Sequence, residues 1–209
     1  GKVPAKYWMH VEFLQVDGGK MSKSLGNVYT LDELQKRGIE PLAYKLFCFT
    51  AHYRTKLNFT FDTVLASQKA LRRLREGFLK HKAGNEAVEN STIEEYKKRF
   101  LETINDDLNM PAAMGIVWEV VRNEKKSKQF AQLLLEFDKV LGLDLEKASE
   151  YIEKQAQVEV PEPIKKLLQQ RKIARENKDW ALSDKIRDEI KEKGYLVKDT
   201  KDGMTIEKI

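Results

Sequence analysis

Asp17-Gly18-Gly19-Lys20-Met21-Ser22-Lys23-Ser24-Leu25-Gly26-Asn27 is the stretch on which the reading of this chain turns. It sets two lysines and two serines in one short loop between glycines, directly after residues 11–16, Val-Glu-Phe-Leu-Gln-Val, apolar and bulky enough at most positions to read as a strand. Glycines on both sides let the backbone swing and approach a ligand closely, while ammonium and hydroxyl groups donate to phosphate oxygens. On composition alone a solvated hairpin tip accounts for the same residues. A nucleotide-binding P-loop needs Gly, four residues, then Gly-Lys-Ser/Thr ahead of a helix, and this stretch does not fit that spacing.

The chain of 209 residues, 41% hydrophobic and 34% charged, has the balance of a charge-rich globular protein with one good core or two smaller ones. No apolar run approaches the roughly 18 residues of a membrane span, and the first residues lack a signal-peptide core, so a cytoplasmic protein with no membrane partner is expected. Cys48 is the single cysteine, set in Leu46-Phe47-Cys48-Phe49, and reads as a core thiol; no disulfide framework or cysteine-based zinc site is possible. A net charge of +5 permits a polyanionic partner without identifying one.

Along the chain, Thr30 with Glu33 forms a capping box for a helix over 31–37, stopped by Gly38. Pro41 opens a second helix over 41–52, and 54–60 reads as extended. Phe61, Val64, Leu65, Leu71, Leu74 and Phe78 stripe a long helix ending before Gly84. A capping box at Ser91 and Glu94 starts the next helix, Pro111 opens another, and 127–141 forms a fourth, which together predict an antiparallel bundle. Residues 145–160 are charged and weakly periodic and are expected to link to a new unit after Pro161 and Pro163. There a helix to about Asn177, a second helix over 180–193 capped by Asp179, and a hairpin around Lys201-Asp202-Gly203 are expected. The fold class is therefore mainly α, divided as 1–57 with the cationic loop, 58–145 bundle, 146–160 linker and 161–209 C-terminal unit.

Lys20-Met21-Ser22-Lys23-Ser24 matches, letter for letter, the KMSKS signature of class I aminoacyl-tRNA synthetases. Tyr7-Trp8-Met9-His10, Ala51-His52-Tyr53-Arg54, Asp106-Asp107-Leu108-Asn109 and the run from Ala174-Arg175 through Lys178-Asp179-Trp180 to Ser183-Asp184 follow in order, and together the strings resemble the cysteinyl-tRNA synthetase family. The resemblance implies an enzyme that activates L-cysteine with ATP and Mg2+, releases pyrophosphate and transfers the cysteinyl group to tRNA(Cys). It implies Lys20 and Lys23 as catalytic residues, with Lys23 the essential ATP contact, and Ser22 and Ser24 as further ATP-binding groups. It places anticodon binding on Arg175, Trp180, Asp184 and Asp199, where an arginine fork, an indole face and two carboxylates suit base recognition.

By the resemblance, the family's HIGH motif, nucleotide-binding fold and Zn2+ site would lie upstream of Gly1, and the signature loop would close over that preceding domain. The chain therefore reads as a C-terminal piece that alone is expected to be inactive, to hold no metal, and to work with an N-terminal catalytic part. Its three histidines do not have ligand spacing. His10 borders the active site by family order, with a structural role equally open; His52 is expected at a helix end and His81 in solvent. The family's Gly-Thr-Thr-Trp-like ending is Gly203-Met204-Thr205-Ile206 here, which puts a terminal tryptophan's contribution in doubt. Two rivals are a cysteine ligase of mycothiol synthesis, against which residues 174–199 argue, and a non-catalytic RNA-binding module, which would have no use for the signature loop.

Overall fold

The computed structural model describes residues 4–156, 162–177, 179–200 and 203–208. They fall into two compact units, Gly1–Lys154 and Gln155–Ile209. The first begins with a small sheet of strands β1 (Leu14–Val16), β2 (Gly19–Lys20) and β3 (Leu57–Phe59), in the order β2-β1-β3. β1 pairs antiparallel with β2 and parallel with β3. Asp17 and Gly18 both take positive φ, 49° and 76°, the twist that a two-residue hairpin turn requires. The strand is shorter than the expected 11–16, because only residues 14–16 find a partner in β3, while Val11 and Phe13 are exposed.

Helices α1 (Leu31–Lys36) and α2 (Pro41–Cys48) pack beside this sheet. The capping box of Thr30 and Glu33 forms as expected: the Thr30 hydroxyl accepts from the Glu33 N–H at 3.3 Å, and the Glu33 carboxylate accepts from the Thr30 N–H at 2.7 Å. α2 ends four residues short of His52, where the Thr50 hydroxyl donates back to the Phe47 carbonyl at 2.7 Å. Val16, Leu34, Ile39, Phe47, Phe59 and Val64 make the core beneath the loop.

Four longer helices follow, α3 (Phe61–Ala83), α4 (Asn90–Asn105), α5 (Met110–Arg122) and α6 (Lys128–Leu141). α3 packs on α5 and α6, and α4 on the same two, so a single core forms from Leu71, Leu74, Phe78, Phe100, Val117, Leu134 and their neighbours. Phe100 and Phe137 stack with ring centroids 4.0 Å apart. Gly77 brings α3 against α5: a Cβ there would lie 2.4 Å from the Val121 Cγ1. The Ser91 capping box does not form, since α4 already begins at Asn90 and the Ser91 hydroxyl bonds the Glu89 carboxylate at 3.3 Å.

Two further expectations change. His81 is buried rather than solvated, because it continues the apolar stripe of Leu71, Leu74 and Phe78 on α3. Its Nε2 bonds the Val120 carbonyl at 2.9 Å, and burial pushes the imidazole below its ordinary pKa. Residues 145–156, read as a weakly periodic connector, form a turn at Leu145–Lys147 and helix α7 (Ala148–Ala156). Leu145 and Ala148 are buried in the bundle core, and the Tyr151 ring lies 3.9 Å from the buried Arg75 guanidinium. Arg75 is itself paired in fork geometry with Glu40.

In the second unit α8 (Glu162–Glu176) and α9 (Trp180–Glu192) pack together, and β4 (Tyr195–Thr200) pairs antiparallel with β5 (Gly203–Lys208). Asp179 caps α9 as expected, accepting from the Leu182 N–H at 3.0 Å. Ile164, Ile186, Ile190, Tyr195 and Val197 form its core. Lys201 and Asp202 of the expected hairpin turn, Pro161 and Lys178 lie outside the described residues.

Candidate functional site

The cationic stretch is a hairpin strand followed by a compact turn. Lys20 ends β2, and Lys23-Ser24-Leu25 form a single 3-10 turn closed by a hydrogen bond from the Gly26 N–H to the Lys23 carbonyl at 3.1 Å. Gly26 takes φ 65°, a conformation that would strain a residue with a Cβ. The Ser22 and Ser24 hydroxyls lie 3.2 Å apart. Lys20, Lys23 and Ser24 are exposed and Ser22 is half-buried. Among the described residues neither lysine is ion-paired with a carboxylate. The four residues therefore present two free cations and two hydroxyls on one short segment, an arrangement suited to phosphate oxygens.

The base of this turn is fixed. Asn27 Oδ1 accepts from the Ser22 N–H at 2.8 Å, and Asn27 Nδ2 donates to the Lys20 carbonyl at 2.9 Å. Between those two partners Met21 turns inward to line a cavity of about 150 Å³ with Leu14, Tyr29, Leu31, Leu34, Tyr44 and Phe59. Asn27 received no role in the sequence reading; the available signal was a carboxamide, able to donate and accept at once, closing a glycine-rich loop.

Two strings that lie more than fifty residues apart in sequence meet in space. The His52 imidazole bonds the Asp107 carbonyl at 2.8 Å, and the Tyr53 hydroxyl donates to Asp107 Oδ1 at 2.5 Å. Arg54 Nε lies 2.8 Å from Asp107 Oδ2. Hydrogen bonds from Tyr53 and Arg54 hold the Asp107 carboxyl below the usual carboxylate range. Asp107 and Leu108 both have positive φ, 53° and 55°, so this clasp fixes a backbone that the sequence does not favour. Nothing in either string signals the other. Cys48 is half-buried, and burial raises its thiol pKa, so it has the character of a packed thiol rather than a nucleophile.

In the C-terminal unit, Arg175 closes α8 and its guanidinium lies over the Trp180 ring, 5.7 Å from the centroid. Trp180, at the start of α9, is 56% exposed rather than part of a core. Asp184, one turn further along, is exposed and pairs with Arg187 at 3.2 Å. Arg175, Trp180 and Asp184 thus come onto neighbouring turns, whereas Asp199 lies in β4, in register with Met204 of β5. His10 is exposed. Among the described residues no group of three or more His, Cys, Asp and Glu side chains could hold a metal ion, and no helix is long and apolar enough to cross a membrane.

Comparison with known proteins gives three family matches in order along the chain. Residues 1–69 match the class I (C) tRNA synthetase catalytic domain, residues 99–146 the DALR domain, and residues 157–206 the cysteinyl-tRNA ligase anticodon binding domain. Similar curated proteins include cysteine–tRNA ligase 1 of Burkholderia lata, 39% identical over 203 residues, which covers 97% of this chain and 41% of that protein. The cysteine–tRNA ligase of Leptospira interrogans is 36% identical, covering 95% of this chain and 45% of that protein. That of Chlamydia felis is 35% identical, covering 98% and 45%. The chain thus spans less than half the length of these relatives.

Proposed function

This chain belongs to the cysteinyl-tRNA synthetase family, whose C-terminal part it matches, and on that premise we propose that it supplies the phosphate-contacting loop and the tRNA-binding end of a cysteine–tRNA ligase. The complete protein would act in the cytoplasm, joining L-cysteine to MgATP with release of pyrophosphate and passing the cysteinyl group to tRNA(Cys). The observation that carries this reading is the exposed Lys23 on a turn whose base is pinned by Asn27 and Met21. As the bond between the α- and β-phosphates breaks, negative charge gathers on the leaving pyrophosphate. A lysine carried onto it by the loop stabilises that charge more in the transition state than in the ground state. Lys20 assists from β2, and the Ser22 and Ser24 hydroxyls, which share one hydrogen bond with each other, donate to phosphate oxygens when the nucleotide is bound. Residues 1–57 complete the catalytic region in this reading, 58–145 dock the tRNA and 161–209 read the anticodon through Arg175, Trp180, Asp184 and Asp199.

The test is cysteine-dependent exchange of pyrophosphate into ATP by the complete protein. Lys23→Ala is expected to abolish most of the exchange while cysteine affinity stays near normal. Exchange at the parental rate would remove Lys23 from the reaction. A non-catalytic RNA-binding module would show no exchange in either protein.

A further inference from the structure

Glycines on both sides of a cationic loop leave its lysines free to sample many positions, and ordering them against a ligand costs free energy. The structure reduces that freedom at one side chain. Asn27 bonds the Ser22 N–H through Oδ1 at 2.8 Å and the Lys20 carbonyl through Nδ2 at 2.9 Å, two backbone groups that flank Met21. Met21 lines the 150 Å³ cavity under the loop, so the polar clamp and the apolar anchor hold the same three residues. Beyond the clamp the turn closes on itself, with the Leu25 N–H bonding the Ser22 carbonyl at 3.2 Å and the Gly26 N–H bonding that of Lys23. The turn that carries Lys23 is thus preformed, while its side chain stays exposed.

We propose that Asn27 is a positioning residue for the loop: it acts through Lys23, by holding residues 20–22 so that the turn swings onto the nucleotide phosphates as one preformed piece. A carboxamide does this by accepting through its oxygen and donating through its nitrogen, whereas an aspartate keeps the acceptor and loses the donor, and an aliphatic residue loses both. The inference rests on the reading that Lys23 contacts the phosphates. A misplacement of about 1 Å at a reacting centre costs on the order of 100-fold in rate, so the loss of the clamp is expected to be felt there.

The experiment is a double-mutant cycle in the complete protein, read by the pre-steady-state rate of cysteinyl adenylate formation. Asn27→Ala is expected to slow that step about 10- to 100-fold, with cysteine KM unchanged. In the Lys23→Ala background the same substitution is expected to change the rate by less than about twofold, because its effect passes through the lysine. Backbone amide exchange over residues 20–27 is expected to quicken in Asn27→Ala. Should that variant fail to fold, Asn27→Asp carries the same cycle. A slowed Lys23→Ala with a normal Asn27 variant overturns the inference and leaves the phosphate reading standing, as does an Asn27 effect of equal size in both backgrounds. A normal Lys23→Ala overturns both.

Discussion

The signature loop holds Lys20, Ser22, Lys23 and Ser24 within five consecutive residues, whereas Arg175, Trp180, Asp184 and Asp199 come from two helices and a strand. The loop is cationic, with its base pinned by Asn27 and its tip free. In the C-terminal unit the same kinds of charge already have protein partners: Arg175 lies over Trp180 and Asp184 faces Arg187. A ligand can meet the loop lysines at little cost in broken contacts, while at the proposed second site it must compete with an existing cation–π contact and an exposed ion pair, each worth little by itself. The contrast fits a loop that acts on charge developing during a reaction and a surface that discriminates among bound bases.

The strongest way to break this contrast is at Lys23. In the complete protein Lys23→Ala is expected to slow adenylate formation by on the order of 100- to 1,000-fold, the usual result of removing one transition-state donor. Discrimination among anticodon variants of the tRNA should not move. At the other end, Trp180→Ala is expected to weaken tRNA use by about 1 to 3 kcal/mol, the worth of one base stack, with cysteine activation intact. Normal charging by a folded Trp180→Ala protein would remove the indole from recognition. A smaller effect is expected from Asp184→Asn, which keeps the shape and loses the charge; it should relax discrimination among anticodon-substituted tRNAs, measured as the ratio of their aminoacylation rates.

The bundle offers a control that belongs to neither site. Burial holds His81 neutral and lowers its pKa, so between the lowered value and the ordinary one near 6.5 the unfolded chain binds more protons than the folded one. His81 therefore contributes stability that is fully present above about pH 6.5 and is lost as pH falls through the lowered value. The melting temperature should hold above about pH 6.5 and drop as pH falls below it, and His81→Gln should flatten that slope without touching either site's pH profile above about 6.5. An unchanged slope would mean that other groups govern the acid response.

What could be read in advance follows the same division. Caps, turns and stripes are local, and the Thr30–Glu33 box, the Asp179 cap and the stripe of α3 all formed as the letters indicated. The loop was legible because its chemistry is contiguous. His81 departs from the expectation of solvent because its place on the stripe outweighs its polarity, and a buried imidazole is tolerated where the Val120 carbonyl satisfies it. Residues 145–156 hide their helix from periodicity because Leu145 and Ala148 supply few apolar positions, each fully buried by tertiary packing. The clasp on Asp107 and the clamp by Asn27 depend on which side-chain and backbone groups come within about 3 Å, which no spacing rule reports.

In the proposed function the chain divides its work, with the loop acting on ATP and the C-terminal unit on tRNA. Pyrophosphate exchange and tRNA charging measured side by side on Lys23→Ala and Trp180→Ala forms of the complete protein test it most directly. Lys23→Ala is expected to lose exchange and charging together, while Trp180→Ala is expected to keep full exchange and lose charging alone. Exchange retained in Lys23→Ala, or lost in a folded Trp180→Ala protein, would contradict it.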